Sequence, residues 1–335
     1  MRYIQLPGTD MNVSQIQLGS AEFGLTEVGA SGRKVSAEDA FRQMDEFLDF
    51  GGNFIDTAHA YSDWVPGELS RSEKCIGKWL AERGNRDKVF IATKGGIDFT
   101  KGTGYHAPPI DLCKAEIDND INESLANLNT DYIDFYWLHR DEPSRPVEEI
   151  IDTLNDNVKA GKIRYIGCSN WLPDRIKAAN EYAEKAGLMP FLGNQFEWSL
   201  ARMFMPEAPL DDLPFMNEEM YEFHKTSGMT AFAYSSLGNG FFTKYDQGGE
   251  EALPEKLKTH VLNDRTRAAY QRLKKLSVET GYSTTQIALA FINSQYKFVG
   301  IPITFGRTHE QFLDSMTAGN INLSPEQVDF LLKED

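Results

Sequence analysis

The sequence predicts a (β/α)8 TIM barrel, an α/β fold in which eight parallel strands each lead into a helix. Three observations point there. Short apolar runs recur along the 335 residues, amphipathic helical patterns follow them, and no composition break interrupts the series. Near-continuous apolar strands imply a parallel sheet covered on both faces, and eight such units in roughly 300 residues fit a closed barrel better than an open sheet. A doubly wound sheet that bound a dinucleotide would carry G-x-G-x-x-G in its first βα turn, and "GSAEFGLTEVG" does not match.

The expected strands are QIQLGS (15–20), NFIDTA (53–58), VFIATKG (89–95), YIDFYWLH (132–139), IRYIGCSN (163–170), GNQFEW (193–198), MTAFAYS (229–235) and FVGIPIT (298–304). The first helix starts on a capping box of Ser36 with Asp39, buries a stripe of Ala40, Phe41, Met44, Phe47 and Leu48, and stops at Gly51. The second repeats that design with Ser70 and Glu73 at its start, Ile76, Trp79 and Leu80 inward, and Gly84 at its end. Ile117, Ile121, Leu125 and Leu128 form a third stripe; Ile150, Ile151, Leu154 and Val158 form a fourth that ends at Gly161. The stretch from Ser236 to Gly281, with Gly238, Gly240, Gly248 and Gly249, exceeds a normal βα loop. It predicts long loops on the C-terminal face, a lid with an extra helix, within a single domain spanning 1–335.

Composition excludes several function classes. With 41% hydrophobic and 25% charged residues the chain is ordinary globular material, and a net charge of −16 without a basic cluster argues against nucleic acid and anionic lipid as partners. "MRYIQLPGTDMNVSQ" lacks the apolar core of a signal peptide, and no stretch is long enough to cross a bilayer. A cytoplasmic protein without a membrane partner is the expectation. Cys75, Cys113 and Cys168 form no C-x-x-C pair and leave an odd one over, which suits a reducing compartment and a packing role.

In barrels of this kind, reacting side chains stand at the C-terminal ends of strands. The polar residues that end the apolar runs are Asp56, Lys94 and His139, with Tyr61 just beyond the second run. A buried Asp and a buried Lys are each costly alone but offset one another as a hydrogen-bonded pair, so Asp56 is placed to hold Lys94. An ammonium beside a phenol favours the phenolate, which makes Tyr61 a usable proton donor, and His139 can orient a carbonyl oxygen. His59 has the opposite strand parity to Asp56 and reads as a supporting residue. His106, His224, His260 and His309 lack ligand spacing and read as solvated or core. The first strand offers no H-x-H and no carboxylate cluster completes a metal site, so no metal is expected and a metal-dependent barrel hydrolase is disfavoured. Phe23, Trp64, Trp171, Trp198 and Phe241 follow strand ends and are expected to wall the substrate pocket, a lining that suits the C–H faces of a sugar or an aromatic aldehyde equally.

"GGNFIDTAHAY", "IATKGG", "YIDFYWLHRDEP" and "GKIRYIGCSNW" resemble, in order, four signature blocks of the aldo-keto reductases. The resemblance implies a catalytic tetrad of Asp56, Tyr61, Lys94 and His139 and a nicotinamide cofactor bound without a Rossmann motif. It implies that Ser169, Asn170 and Gln195 hydrogen-bond the carboxamide and that Tyr234 stacks on the ring. Ser235, Leu237, Gly238, Gly240 and Lys244 match the pyrophosphate loop, and "GRTHEQFLDS" resembles the closing block, with Gly306, Arg307, Gln311, Asp314 and Ser315 at the adenosine end. Thr304 and Phe305 depart from the Pro-Gly of many relatives, and Ser315 replaces a common Asn. Arg307 and Lys244 offer cationic contacts to a 2′-phosphate, so NADPH is expected over NADH. The implied activity is NADPH-dependent reduction of a small aldehyde or ketone to an alcohol, with Tyr61 as proton donor. The competing reading is a nucleotide-sensing binding subunit with weak turnover; potassium-channel β subunits resemble this family but lack the histidine, so His139 favours an enzyme. The physiological substrate, reaction direction and oligomeric state stay open at this level.

Overall fold

The computed structural model describes residues 1–25, 27, 35–101, 108–205, 213–306 and 308–333. A short two-stranded ribbon, Tyr3–Gln5 with Asn12–Ser14, precedes the main sheet; sequence patterning had not singled it out. The main sheet comprises β1 (Gln17–Gly19), β2 (Phe54–Asp56), β3 (Phe90–Gly95), β4 (Ile133–Leu138), β5 (Ile163–Ser169), β6 (Gly193–Glu197), β7 (Thr230–Tyr234) and β8 (Gly300–Thr304). These close into a barrel in the order β8-β1-β2-β3-β4-β5-β6-β7, the (β/α)8 arrangement expected from the sequence. Each strand lies inside its expected run and is shorter, because pairing ends where the chain turns out toward a helix.

By contact density the chain divides into two compact units, one of Gln5–Val13 and Leu18–Asn194, the other of Met1–Ile4, Ser14–Gln17 and Gln195–Asp335. In the first unit the parallel register sets Asp56 beside Ala92 and Lys94 beside Trp137. Paired residues of a parallel sheet present side chains to one face, so Asp56, Lys94 and, one residue past β4, His139 share the barrel interior. Gly167 keeps that interior passable: a Cβ there would meet the Trp137 ring at 2.4 Å.

Four helices of the first unit follow their local signals with informative exceptions. Helix α1 (Ala37–Asp49) is capped by Ser36, which accepts the Asp39 N–H at 3.1 Å. It ends in a Schellman motif, in which the Gly51 N–H donates to Leu48 O and the Gly52 N–H to Phe47 O. Gly51 adopts φ +82°, which a glycine takes without strain. Ala40, Met44 and Phe47 are buried, whereas Phe41 and Leu48 flank the stripe and stay partly exposed. Helix α2 (Arg71–Arg83) departs from its expected capping box. Ser70 sits at φ +54° with no side-chain cap, and the fully buried Glu73 instead accepts from Thr93 Oγ1 at 2.6 Å and from Asn127 Nδ2 at 3.0 Å. Glu73 thereby ties α2 to β3 and to α3 (Lys114–Asn127). Helices α4 (Val147–Lys159) and α5 (Pro173–Ala186) complete this unit's outer layer.

The second unit carries α6 (Glu218–Ser227) between β6 and β7. The long segment after β7 is more ordered than a lid with one extra helix. It folds as α7 (Phe241–Gly248), α8 (Glu255–His260) and α9 (Asp264–Thr280), followed by α10 (Thr284–Asn293), against which α7 and α9 pack. Apolar residues spaced along α7 and α9, such as Phe242, Ala269, Leu273 and Leu276, are buried, so the insert contributes core of its own. Helices α11 (His309–Thr317) and α12 (Pro325–Leu332) end the chain. Cys75 and Cys168 are buried, and burial pushes their thiols up, that of Cys75 to about 12, so both behave as core residues; Cys113 is half-buried beside the start of α3. No described helix is long and apolar enough to cross a membrane.

Candidate active site

The first unit brings together the residues expected to do chemistry. Lys94 Nζ lies 2.5 Å from Asp56 Oδ2, 2.8 Å from the Thr57 carbonyl oxygen and 2.9 Å from Tyr61 Oη. An ammonium has three N–H donors and no acceptor, so these contacts use all of them, and the tyrosine oxygen accepts from lysine. The phenolic hydrogen is therefore directed away from Lys94. The Lys94 side chain is 0% and that of Asp56 2% exposed, which makes their mutual neutralisation a condition for burying either. Burial lowers the Lys94 pKa, and the charge and hydrogen bond of Asp56 oppose that shift.

The His139 ring meets the Tyr61 ring edge-on, centroids 5.6 Å apart. Burial first, and then the positive charges of Lys94 and Arg140, hold His139 well below the usual histidine value. It is neutral at neutral pH and offers one N–H, the form suited to donating to a carbonyl oxygen without a net charge. Its Nδ1 has no hydrogen-bond partner among the described residues, and its backbone oxygen accepts from Asn170 Nδ2 at 3.1 Å. Asn170, at φ +61°, also reaches Ser169 Oγ at 3.1 Å.

Residues that sequence reasoning passed over hold the tyrosine in place. Arg71, buried at the first turn of α2, donates to the carbonyls of Ser62 (3.1 Å), Val65 (2.8 Å) and Pro66 (2.7 Å) and so staples the loop that follows Tyr61. Beneath Asp56, Ser72 Oγ lies 2.9 Å from Ser20 Oγ and 2.8 Å from Thr57 Oγ1, while Ser20 Oγ donates to Asp56 O. The sequence carried no local signal for this network, because Ser20, Thr57 and Ser72 stand on three separate segments and meet only in the folded chain.

The five aromatics expected around the mouth separate. Trp64 stands beside Tyr61, ring centroids 6.1 Å apart, and its neighbour is Phe99 at 5.5 Å, a residue the sequence had not suggested. Phe23, Trp171, Trp198 and Phe241 are packed as core, from 0 to 3% exposed. Trp171 lies against Phe191 with the Arg175 guanidinium over its face; Trp198 sits among Phe196, Phe291 and Phe298; Phe241 packs on Phe242 and Tyr245. For a large ring, complete removal from water outweighs a place on a wet wall when neighbouring helices supply an apolar slot.

A cleft of about 550 Å³ opens in the second unit between the β7–α7 turn and the start of α11. Ser235, Leu237, Gly240, Lys244, Gln311, Asp314 and Ser315 line it, as do Asn239, Thr243, Gln247, Thr285, Glu310 and Phe305. The turn that enters α7 holds Ser235, Gly238, Asn239 and Gly240 all at positive φ, a tight curl in which the Gly238 N–H donates to Ser235 O at 2.7 Å and the Gly240 N–H to Leu237 O at 2.9 Å. Lys244 Nζ donates to the Asn239 carbonyl at the same place. The Asp314 carboxylate also accepts from Ser283 Oγ at 2.8 Å and Gln286 Nε2 at 2.8 Å, which ties α11 to the capping box of α10. Gln195, Tyr234, Gly238 and Gly306 are not among the cleft's lining residues. Arg307 and His106 lie outside the described residues.

The model of the aldo/keto reductase family matches residues 15–333. The chain belongs to the aldo/keto reductase family. This is an oxidoreductase family, and its known members include proteins similar to this chain along nearly its whole length. An aryl-alcohol dehydrogenase (NADP(+)) of Phanerodontia chrysosporium is 30% identical over 98% of this chain and 85% of its own. A putative aryl-alcohol dehydrogenase, AAD14, of Saccharomyces cerevisiae is 32% identical over 96% and 83%. The norsolorinic acid reductase stcV of Emericella nidulans is 31% identical over 96% and 78%. Membership fits the barrel and carbonyl–alcohol chemistry in general.

Proposed function

We propose that this aldo/keto reductase is an NADPH-dependent carbonyl reductase that reduces an aldehyde or ketone, with an aromatic carbonyl compound as the favoured substrate and Tyr61 as proton donor. The observation that carries the reading is the Lys94 ammonium, whose three donors are spent on Asp56, Thr57 and Tyr61, so that the phenolic proton points away from it. NADPH, when bound, supplies the hydride. Tyr61 delivers its proton to the carbonyl oxygen as negative charge grows there, the Lys94 charge stabilises the phenolate left behind, and the neutral His139 ring orients that oxygen. Trp64 supplies a flat apolar surface beside Tyr61 for an aryl group, and similarity to proteins named aryl-alcohol dehydrogenases supports that choice.

The donor set fits the cofactor's polar end. Lys244 suits a pyrophosphate, Gln311 and Phe305 suit the adenosine, and Arg307 supplies, as the family resemblance implies, a contact to the 2′-phosphate. The family resemblance assigns Ser169, Asn170, Gln195 and Tyr234 to the nicotinamide. Two experiments test it. Loss of NADPH absorbance should follow addition of benzaldehyde-type compounds more readily than of sugars, and fluorescence titration should show Lys244→Ala weakening NADPH by about 1.5 to 3 kcal/mol, the range for hydrogen bonds to charged groups. Cofactor binding without turnover of any carbonyl compound would favour the sensor reading instead, and equal affinity of wild type and Lys244→Ala would remove the lysine from the cofactor site.

A further inference from the structure

Behind Tyr61, on the outer side of the turn that carries it, lies a second cavity of about 390 Å³ whose polar groups take no part in the chemistry above. His59 stands at its inner edge, between Asp56 and Tyr61 in the chain. The His59 backbone N–H donates to Lys94 O at 2.9 Å, its ring Nε2 lies 2.8 Å from Glu123 Oε2, and its Nδ1 lies 3.7 Å from Asp120 Oδ1. The other Asp120 oxygen accepts the Gly96 N–H at 2.7 Å. Helix α3 approaches β3 this closely because Gly95 has no side chain: a Cβ there would fall 2.0 Å from Tyr136 Oη and 2.7 Å from Asp120 Oδ2. One imidazole thus joins the tyrosine-bearing turn to α3, and through Asp120 to the end of the strand that bears Lys94.

A neutral imidazole has one N–H and one lone pair, so it can donate to Glu123 only by presenting a lone pair to Asp120. An imidazolium faces both carboxylates with a donor. Among the described residues the charged groups around it are overwhelmingly acidic: Glu73 from α2, Asp63 from the turn itself, whose carboxyl burial raises to about 6, Glu116, Asp120 and Glu123 from α3, and Asp98 and Asp111 from the β3–α3 segment, with Lys101 as the described cation that lines the cavity. Glu73 is fully buried, and its carboxylate accepts from the neutral Thr93 and Asn127.

We propose that His59 is a positioning residue for Tyr61: as an imidazolium held between Glu123 and Asp120 it clamps the 57–63 turn against α3 and β3, and loss of its proton loosens that turn. The inference rests on the reading of Tyr61 as proton donor. Burial lowers the His59 pKa, but Glu73, Asp120 and Glu123 together outweigh it and the net shift is upward, which agrees with the charged form. With a folded pKa above the ordinary histidine value, the clamp's contribution is complete below about pH 6.5 and is lost as pH rises through the folded value.

The test compares wild type with His59→Gln, which keeps one hydrogen bond but cannot titrate, and with Glu123→Gln, which keeps the histidine. Imidazole NMR should show His59 titrating above its ordinary value, and the Glu123→Gln variant should move that titration to lower pH. The ring signal of Tyr61, labelled at Cζ with 13C and assigned with Tyr61→Phe, should shift at the same pH in wild type and lose that step in His59→Gln. For carbonyl reduction, kcat of His59→Gln should fall about tenfold at pH 6, as displacement of a reacting group does, and converge with wild type above the His59 titration, while KM and NADPH affinity hold. A histidine that titrates at or below 6.5, a Tyr61 signal indifferent to it, or a kcat ratio constant across pH would overturn the proposal. The NMR arms need no turnover, so an enzyme that reduced no carbonyl compound would defeat the reading of Tyr61 while the clamp itself was still decided by the two titrations. Should His59→Gln fail to fold, Glu123→Gln decides alone: a Tyr61 step that moves with the histidine supports the clamp, and one that stays put refutes it.

Discussion

At the scale of single residues, the buried pair under Tyr61 makes separable claims about chemistry and stability. Tyr61→Phe removes one oxygen, keeps the ring against Trp64 and His139, and leaves the Lys94–Asp56 pair intact. Reduction should slow by about 10² to 10⁴, the usual contribution of general acid catalysis, with NADPH affinity within about twofold; a near wild-type rate would falsify the proposed donor. Asp56→Asn should instead destabilise the protein by about 3 to 5 kcal/mol, because an ammonium is left buried without its counter-charge. Chemical denaturation of both variants distinguishes the two roles, since only the second should unfold early. His224 provides a third case. It packs against Phe196, its Nδ1 lies 2.8 Å from Met229 O, and burial lowers its pKa to about 4. A histidine depressed in the folded state contributes stability that is complete above its unfolded value near 6.5 and is lost as pH falls through about 4. His224→Asn, which can keep the bond to Met229, should melt with a flatter pH dependence between those values; the difference from wild type should reach about 3 kcal/mol, and parallel melting curves would refute it.

At the scale of elements, α1 and α2 show how far local pattern reaches. The start and end of α1 are set by groups within a few residues of each other, Ser36 with Asp39 and Gly51 with Leu48, so they were legible. The start of α2 has the same motif on paper, yet Glu73 is drawn inward by Thr93 and Asn127, partners 20 and 54 residues away. Gly77 is where α2 meets α3: an added Cβ would sit 2.2 Å from Asn127 O and 2.8 Å from the Leu128 carbonyl carbon. Backbone cannot yield as a side chain can, so Gly77→Ala should cost about 1 to 3 kcal/mol by overpacking. It should also lower kcat, since α2 carries Arg71 and Ser72, which brace the Tyr61 turn. Gly84→Ala is the contrast. Its φ of +58° should cost about 1 to 2 kcal/mol, but nothing lies within 4 Å of the new Cβ, and kcat should hold. Equal effects of the two on kcat would show that the brace does not matter.

At the scale of the whole molecule, the net charge of −16 is a source of self-repulsion that ionic strength can screen. Raising KCl from about 0.02 to 0.3 M shortens the Debye length from roughly 20 to 6 Å, so thermal melts should shift upward across that range. Part-buried ion pairs such as Arg86 with Asp134 at 2.7 Å and Arg164 with Asp134 at 2.8 Å are screened much less. A downward shift would mean that pairs of this kind, rather than long-range repulsion, dominate the charge energetics.

The amino-acid sequence by itself determined the alternation of strand and helix, and with it the barrel, because apolar periodicity reports which face of each element must leave water. It also determined which side chains are candidates at the strand ends, since Asp56, Lys94 and His139 are the polar residues that close their apolar runs; the register that brings them to one face belongs to the packed sheet. Only the tertiary structure decided what those residues touch and what stands behind them. Whether Trp171 and Trp198 wall a pocket or fill a core depends on apolar slots formed by residues far along the chain, and periodicity gives both outcomes the same pattern. The partners of Arg71, Glu73 and His59 were hidden for a related reason: hydrogen bonds and charge pairs are short-ranged in space and indifferent to separation along the chain, so they become definite only once distant segments are packed to within about 3 Å of one another.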